Sequence, residues 1–290
     1  MTDTRTLRIL EPAPGVFAYY DGRVPGVRLH SPADNWLDDG AYALGIASYA
    51  IVGGSEAVVF DSHISLDHAR RVRSHLEGLG LSRFTLVLSH AHDDHIAGNA
   101  VFADGPIVAH RLTRDALLAN RDKLENADPP IRPLVLPTEI FDDGLTLTAG
   151  SRTVEALHFA IHSADGVVLR LPDAGLLLAG DVVEDTVTYI SEPDHTPTHI
   201  AELGRLAALP VRRILPAHGD PDRIAAGGYD GSLIAANRDY LRRLVAGEGR
   251  DGTPLSAFVA ADIAAGRIGY FAPYEAVHQA NLKALAAAGL

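Results

Sequence analysis

The apolar run Phe84–Leu88 (FTLVL) ends directly on Ser89-His90-Ala91-His92-Asp93-Asp94-His95, three imidazoles and two carboxylates in seven residues. A short, β-branched and aromatic run of this kind reads as a buried strand. Titratable groups at such a strand end need a partner that offsets their burial. Alternate residues of an extended segment face the same way, so His90 and His92 can reach one point together. Asp94 and His95 come where the chain should turn into IAGNAVF, and can aim at a second, neighbouring point. Neutral imidazole and carboxylate are donors that a borderline ion such as zinc accepts. Sites on α/β sheets lie beyond strand ends. The pattern H-x-H-x-D-H after a strand therefore predicts metal binding.

Strand and helix signals alternate around this segment. GVFAYYDG (15–22) is a β-type run closed by Asp-Gly. GIASYAIVGG and EAVVFDS meet at Gly53-Gly54 as a hairpin. Ser65 opens an amphipathic helix to Gly80, with Leu66, Ala69, Val72, Leu76 and Leu79 three and four residues apart. PIVAH reads as a strand, RLTRDALLANRDKL as one helix, and the Pro-rich stretch 128–137 as a loop. LTLTAG, RTVEALHF, GVVLRL and GLLLAGD are strands; THIAELGRLAAL and SLIAANRDYLRRLVAG are helices; VRRILPAHG is a strand running into a loop. From Pro254 two more helices are expected. Two β-rich halves with outer helices predict an α/β fold, a four-layer αβ/βα sandwich. We expect a single domain over residues 1–290, with C-terminal helices from about 233 to 290.

Three later positions fit the same chemistry. His162 stands in AIHSADG before a strand, Asp181 ends GLLLAGD, and His218 ends RILPAHG. Each adjoins an apolar strand near a glycine.

Composition narrows the rest. There are no cysteines, which excludes thiolate ligands, disulfides and a thiol nucleophile. With 37 acidic against 25 basic residues, the net charge of −12 and the lack of a Lys/Arg block disfavour nucleic acid as a partner. The N-terminus lacks a signal-peptide pattern, and no apolar run approaches the ~20 residues that span a bilayer. A soluble, cytoplasmic protein acting on a small-molecule substrate, away from membranes, is expected. The Ala/Leu-rich C-terminal helices leave a homo-oligomer open.

The motifs VVFDSH, LSHAHDDHIAGN, IHSADG, LLAGD and PAHG, from about Tyr49 to His218, resemble the metallo-β-lactamase superfamily of dinuclear hydrolases. The resemblance implies an αβ/βα sandwich with the site in the cleft between its halves. It implies that His90, His92 and His162 hold one metal, that Asp94, His95 and His218 hold the other, and that Asp181 bridges them. Asp61 resembles the family's aspartate that braces the histidine loop. Many members read G-H-[ST]-x-G where this chain has Ile161-His162-Ser163-Ala164-Asp165-Gly166. Asp181 resembles the bridging aspartate of thioesterase, lactonase and phosphodiesterase members.

The implied cofactor is two Zn²⁺ per chain, with Fe or Mn also admitted by such donors. The implied reaction is attack by a metal-bridging hydroxide, available because a metal lowers the pKa of water from ~15.7 to about 7. The expected substrate is a small ester-like bond: lactone, thioester or ester. Asp94 is expected to orient the nucleophile and carry its proton. Tyr189 is a candidate oxyanion donor, because lactonase members place a tyrosine near this region. Tyr229 and Trp36 are candidate cleft residues. The competing class is a mononuclear iron, persulfide dioxygenase-like oxidoreductase; the complete set Asp94, His95 and His218 argues against it.

Overall fold

The computed structural model describes residues 2–290. Seven strands form the first sheet in sequence order: β1 (Arg8–Ala13), β2 (Val16–Asp21), β3 (Ile46–Gly53), β4 (Glu56–Phe60), β5 (Arg83–Val87), β6 (Ile107–His110) and β7 (Glu139–Phe141). The second sheet runs β12 (Arg213–Pro216), β11 (Leu176–Gly180), β10 (Val167–Leu171), β9 (Arg152–His158) and β8 (Gly144–Ala149). The helices are α1 (Leu66–Gly78), α2 (Asp93–Ile96), α3 (Arg111–Ala119), α4 (Arg121–Glu125), α5 (Thr196–Leu206), α6 (Pro221–Ala225), α7 (Ser232–Val245), α8 (Leu255–Phe258), α9 (Ala260–Ala264) and α10 (Tyr274–Ala287).

The period of two along each strand builds the layers. In β4, Val58 and Phe60 join the core shared with the second sheet, while Ala57 and Val59 face the opposite way. In β5, Val87 points to the shared core and Leu86 to the other side; in β6, Val108 and Ile107 divide likewise. The second set packs against Ala69, Val72 and Leu76 of α1 and Leu117 of α3. A sheet buried on both faces needs apolar residues at nearly every position, which is why these strands read as unbroken apolar runs. The buried faces of α5 and α7 join the core that holds Leu169, Leu177 and Leu178 of the second sheet. The αβ/βα sandwich expected from the sequence is the observed architecture.

Local signals explain the element ends. Ser65 caps α1, its hydroxyl accepting from the His68 amide. The β3–β4 hairpin turns at Gly53–Glu56 as expected. Elsewhere the structure differs from the sequence reading. Residues 111–125 form two helices broken at Asn120, whose side chain bonds back to the Ala116 carbonyl in competition with the backbone. Strands β1 and β7 and a π-helical segment (Trp36–Tyr42) went unread, because each is short and carries no clean periodicity. The region after Pro254 holds three helices rather than two. Among the described residues, no helix is long and apolar enough to cross a membrane.

Parallel pairing sets where the chemistry gathers. β4 pairs parallel with β5, and β11 with β12, so the residues after all four strands emerge at strand C-terminal ends. Asp61 follows β4, His90 to His95 follow β5, Asp181 follows β11 and His218 follows β12. The Ala47 amide of β3 donates to the Ala217 carbonyl (2.8 Å), and the Val167 amide of β10 to the Ser89 carbonyl (2.8 Å). These two bonds fasten the loops of one sheet to strands of the other.

Candidate metal centre

Seven side chains converge in two groups that share one carboxylate. His90, His92, His162 and Asp181 form the first; Asp94, His95, Asp181 and His218 form the second. Within each, one donor atom per residue lies within 4.8 Å of all the others. His92 Nδ1 sits 2.9 Å from His90 Nε2 and 3.0 Å from His162 Nε2. Asp181 Oδ2 is 3.2 Å from His95 Nε2 and 3.4 Å from His218 Nε2, and 3.7 Å from both His90 Nε2 and His162 Nε2. Asp94 completes the second group, 3.3 Å from His218 Nε2 and 3.5 Å from His95 Nε2. The structure thus brings together every ligand candidate the sequence offered.

At four of the five histidines the second ring nitrogen is tethered from behind. His90 Nδ1 meets Ser89 Oγ (2.9 Å), His95 Nδ1 meets Asp61 Oδ2 (2.8 Å), His162 Nδ1 meets the Tyr189 carbonyl (3.1 Å) and His218 Nδ1 meets the Gly45 carbonyl (2.7 Å). Such partners fix ring orientation and tautomer, leaving the opposite nitrogen free to ligate. Asp61 also accepts the Ser89 amide at 2.7 Å, so it braces the start of the histidine loop as well as His95. Asp61, His63 and His162 hold positive φ values of 65°, 70° and 66°, a conformation costly for non-glycine residues and typical of over-determined functional loops. Gly180, at φ 52°, admits the loop: a Cβ there would lie 2.9 Å from the Ser89 Cβ.

The electrostatics fit a cation. Burial, with His92 beside it, pushes His162 down to about 3, and burial with neighbouring imidazoles holds His90 well below its usual range. Both are neutral at pH 7, the form that ligates. At His95 and His218 burial also works downward, but Asp181 and the other nearby carboxylates outweigh it and raise both. Burial works to raise Asp94, yet His95 and His218 bring it down to about 2. These carboxylates favour positive charge between them, which a divalent ion supplies in place of protons. Asp181 Oδ1 is buried with no hydrogen-bond partner among the described residues. One oxygen of Asp181 faces the imidazole nitrogens and the other is buried without such a partner, a donor set that fits a shared metal-binding carboxylate.

The cluster opens into a cleft of about 720 Å³ lined by His92, Asp94, His162, Asp181 and His218. Tyr189 lines it too: its ring is half-exposed, 6.2 Å from the His162 ring between centroids. Trp36 lines the cleft and is anchored through Nε1 to the Pro129 carbonyl (2.9 Å). Tyr229 does not line the cleft; it is buried, donating to Asp185 Oδ2 at 2.7 Å. His110 and His158 stack on each other with centroids 4.0 Å apart, and His68 pairs with buried Asp21 at 2.9 Å.

One residue was missed. Glu184 is buried in the cleft wall, where burial, foremost, pushes its carboxyl up to about 7. It accepts the Tyr189 amide at 2.8 Å and the Tyr274 hydroxyl at 3.0 Å. Glu184 therefore fixes the segment whose carbonyl orients His162. In sequence it is one acid in DVVED, with no spacing to mark it.

A two-sheet αβ/βα sandwich with a His/Asp metal-binding cluster at its strand ends defines a class of metal-dependent hydrolytic folds. The chain belongs to the metallo-beta-lactamase superfamily, whose family model matches residues 41–218. Solved relatives include a metallo-beta-lactamase from Pontibacter korlensis (TM-score 0.62, 19% identity, 81% of this chain and 99% of that one) and the DIM-1 metallo-beta-lactamase (TM-score 0.61, 17% identity, 83% and 99%). At such identity they establish the fold alone. Among curated proteins, the chain is similar to a linear primary-alkylsulfatase from a Pseudomonas strain, 23% identical over 57% of this chain and 39% of that protein. It is also similar to the bovine acyl-coenzyme A thioesterase MBLAC2, 25% identical over 63% of this chain and 77% of that protein. The match thus spans well under half of the alkylsulfatase.

Proposed function

We propose that this protein is a hydrolase of a small ester-like bond (lactone, thioester or ester), working with two zinc ions. His90, His92 and His162 would hold one, Asp94, His95 and His218 the other, with Asp181 shared. The observation that carries the reading is the position of Asp181 Oδ2, within 3.2–3.7 Å of four imidazole nitrogens drawn from both groups. A mononuclear iron site would leave the second group without a purpose. The thioesterase relative is named for cleaving one of these bonds, and the alkylsulfatase relative for cleaving a sulfate ester.

When bound, the metal pair supplies Lewis acidity and makes hydroxide available at neutral pH. The chain's own residues do the rest. Asp94, ionised at pH 7 and 16% exposed at the cleft floor, takes the proton of the attacking water and delivers it to the leaving group. Glu184 holds the Tyr189 backbone so that its hydroxyl can donate to the oxygen on which negative charge develops.

Metal content per chain, measured on protein purified without chelators, tests the proposal. Near two zinc is the expected result. Near one iron would move the assignment to a persulfide oxidoreductase, and little metal after zinc addition would mean the seven groups do not bind it. Tyr189→Phe is expected to lower kcat by about 10²-fold at unchanged metal content, the scale of one lost oxyanion donor. Wild-type kcat in that variant would remove Tyr189 from the chemistry.

A further inference from the structure

The cleft has two unlike linings. Helix α10 packs inward through Tyr274, His278, Asn281 and Leu285, spaced three and four residues apart. That leaves a second stripe, Pro273, Ala276, Val277 and Ala280, lining the cleft. It is apolar throughout and carries no hydrogen-bonding side chain. Leu44 and Leu124 add apolar surface from other elements.

The charged lining is one-sided. Beyond the proposed ligands and Glu184, the cleft is lined by Asp39, Asp93, Asp165 and Glu192 against a single cation, Lys123. Asp39 is matched by Arg28, whose guanidinium grips it at 2.6 and 2.8 Å. The others have no such cover. Asp165 is 6% exposed; one oxygen accepts the Ser163 hydroxyl at 2.7 Å, and the other is buried with no partner among the described residues. Glu192 meets only His195 and His199, at 3.1 and 3.9 Å. The whole chain adds a net charge of −12.

The metal pair would supply positive charge at the cleft floor, but a polyanionic carrier that reaches past it meets Asp93, Asp165 and Glu192 in a partly desolvated cleft, where like charges are weakly screened. An uncharged one meets an apolar stripe able to hold a hydrocarbon chain. We propose that the cleft selects an uncharged ester, thioester or lactone, lays its acyl chain on the Pro273–Ala280 face of α10, and rejects anionic acyl carriers. This rests on the hydrolase reading, and it departs from what the names of both curated relatives suggest, since coenzyme A and alkyl sulfates are anionic.

The test compares one acyl group on two carriers with the same thioester bond: butyryl-N-acetylcysteamine, which is neutral, and butyryl-coenzyme A. The zinc-loaded full chain at low salt is expected to show at least ~10-fold higher kcat/KM for the neutral thioester. Raising the salt should narrow that ratio by accelerating only the anionic substrate. Across acetyl, butyryl and hexanoyl thioesters of N-acetylcysteamine, kcat/KM should rise with chain length, about 3-fold or more per two methylenes. Val277→Asp should flatten that rise. Equal or greater turnover of the coenzyme A thioester, or a flat chain-length series in the wild type, would overturn the proposal while leaving the hydrolase intact. No turnover by zinc-loaded protein of either thioester, or of a neutral lactone and a neutral ester assayed beside them, would instead overturn the hydrolase reading, and this proposal with it.

Discussion

Asp94→Ala is expected to lower kcat/KM on a neutral ester by about 10²–10⁴-fold, the range associated with loss of a positioned proton carrier. Two roles end together. The carboxylate lies between His95 and His218, so its removal takes one donor from the second group. It is also the only proposed ligand besides Asp181 that can carry a proton while ionised at pH 7. The first group, His90, His92, His162 and Asp181, is untouched, so about one metal per chain should persist. The fold should persist as well, because Asp94 belongs to the four-residue helix α2 and contributes nothing to the apolar core. The readouts are kcat/KM, metal content and the thermal midpoint, measured on the same preparation. Full turnover in this variant would end the assignment of Asp94. Loss of both metals would mean that the two groups bind as one unit.

How much of this was legible in the sequence follows from where the physics is local. Strands buried on both faces announce themselves as apolar runs, so β2 to β6 and β10 to β12 could be read; β8 and β9, each with a more exposed face, read as strands around a turn, and the layer architecture followed. Each proposed ligand except the loop residue His162 follows such a run, so six polar side chains at strand ends marked most of the cluster. Asp61 was a candidate brace through its resemblance to the family's aspartate, and its contacts with His95 and Ser89 match that expectation. The cleft wall was another matter. Glu184, Asp165 and the exposed stripe of α10 come from three distant segments, and only tertiary packing puts them around one space. Helix α10 shows why: its two faces differ in what covers them more than in hydrophobicity, since Tyr274, His278 and Asn281 are buried while Pro273, Ala276 and Ala280 are exposed. A period of 3.6 cannot assign faces when the polar residues point inward to partners such as Glu184 and Tyr240. The break at Asn120 and the burial of Tyr229 failed for a similar reason, a side-chain hydrogen bond outweighing pattern.

Asp61→Asn is expected to weaken metal binding while sparing the fold, and the reason lies in one proton. Asp61 Oδ1 accepts the Ser89 amide at 2.7 Å, and Oδ2 accepts from His95 Nδ1 at 2.8 Å. Asparagine has the same shape and can keep the first bond through its carbonyl oxygen. Its amide nitrogen then faces His95 Nδ1, and an amide nitrogen only donates. His95 must answer by accepting at Nδ1, which moves its proton to Nε2. That is the nitrogen facing Asp181 and Asp94 at 3.2 and 3.5 Å, and a protonated nitrogen cannot ligate. Turning the amide over would set its nitrogen against the Ser89 amide instead, two donors in a buried site, at about 1–3 kcal/mol. Either way the second group loses affinity, by about 10–100-fold on the scale of altered outer partners of metal-ligating histidines. Asp61→Ala differs: it strands both the Ser89 amide and His95 Nδ1 in a buried pocket, so it should cost stability as well as metal. Chelator competition measures the affinity, and thermal melting of the metal-free protein measures the fold. The expected pattern is weakened metal binding in both variants, with a substantial loss of melting temperature only in Asp61→Ala. Wild-type metal affinity in Asp61→Asn would show that the Asp61 contact does not set the tautomer of His95, and that His95 is not held as a ligand by this route.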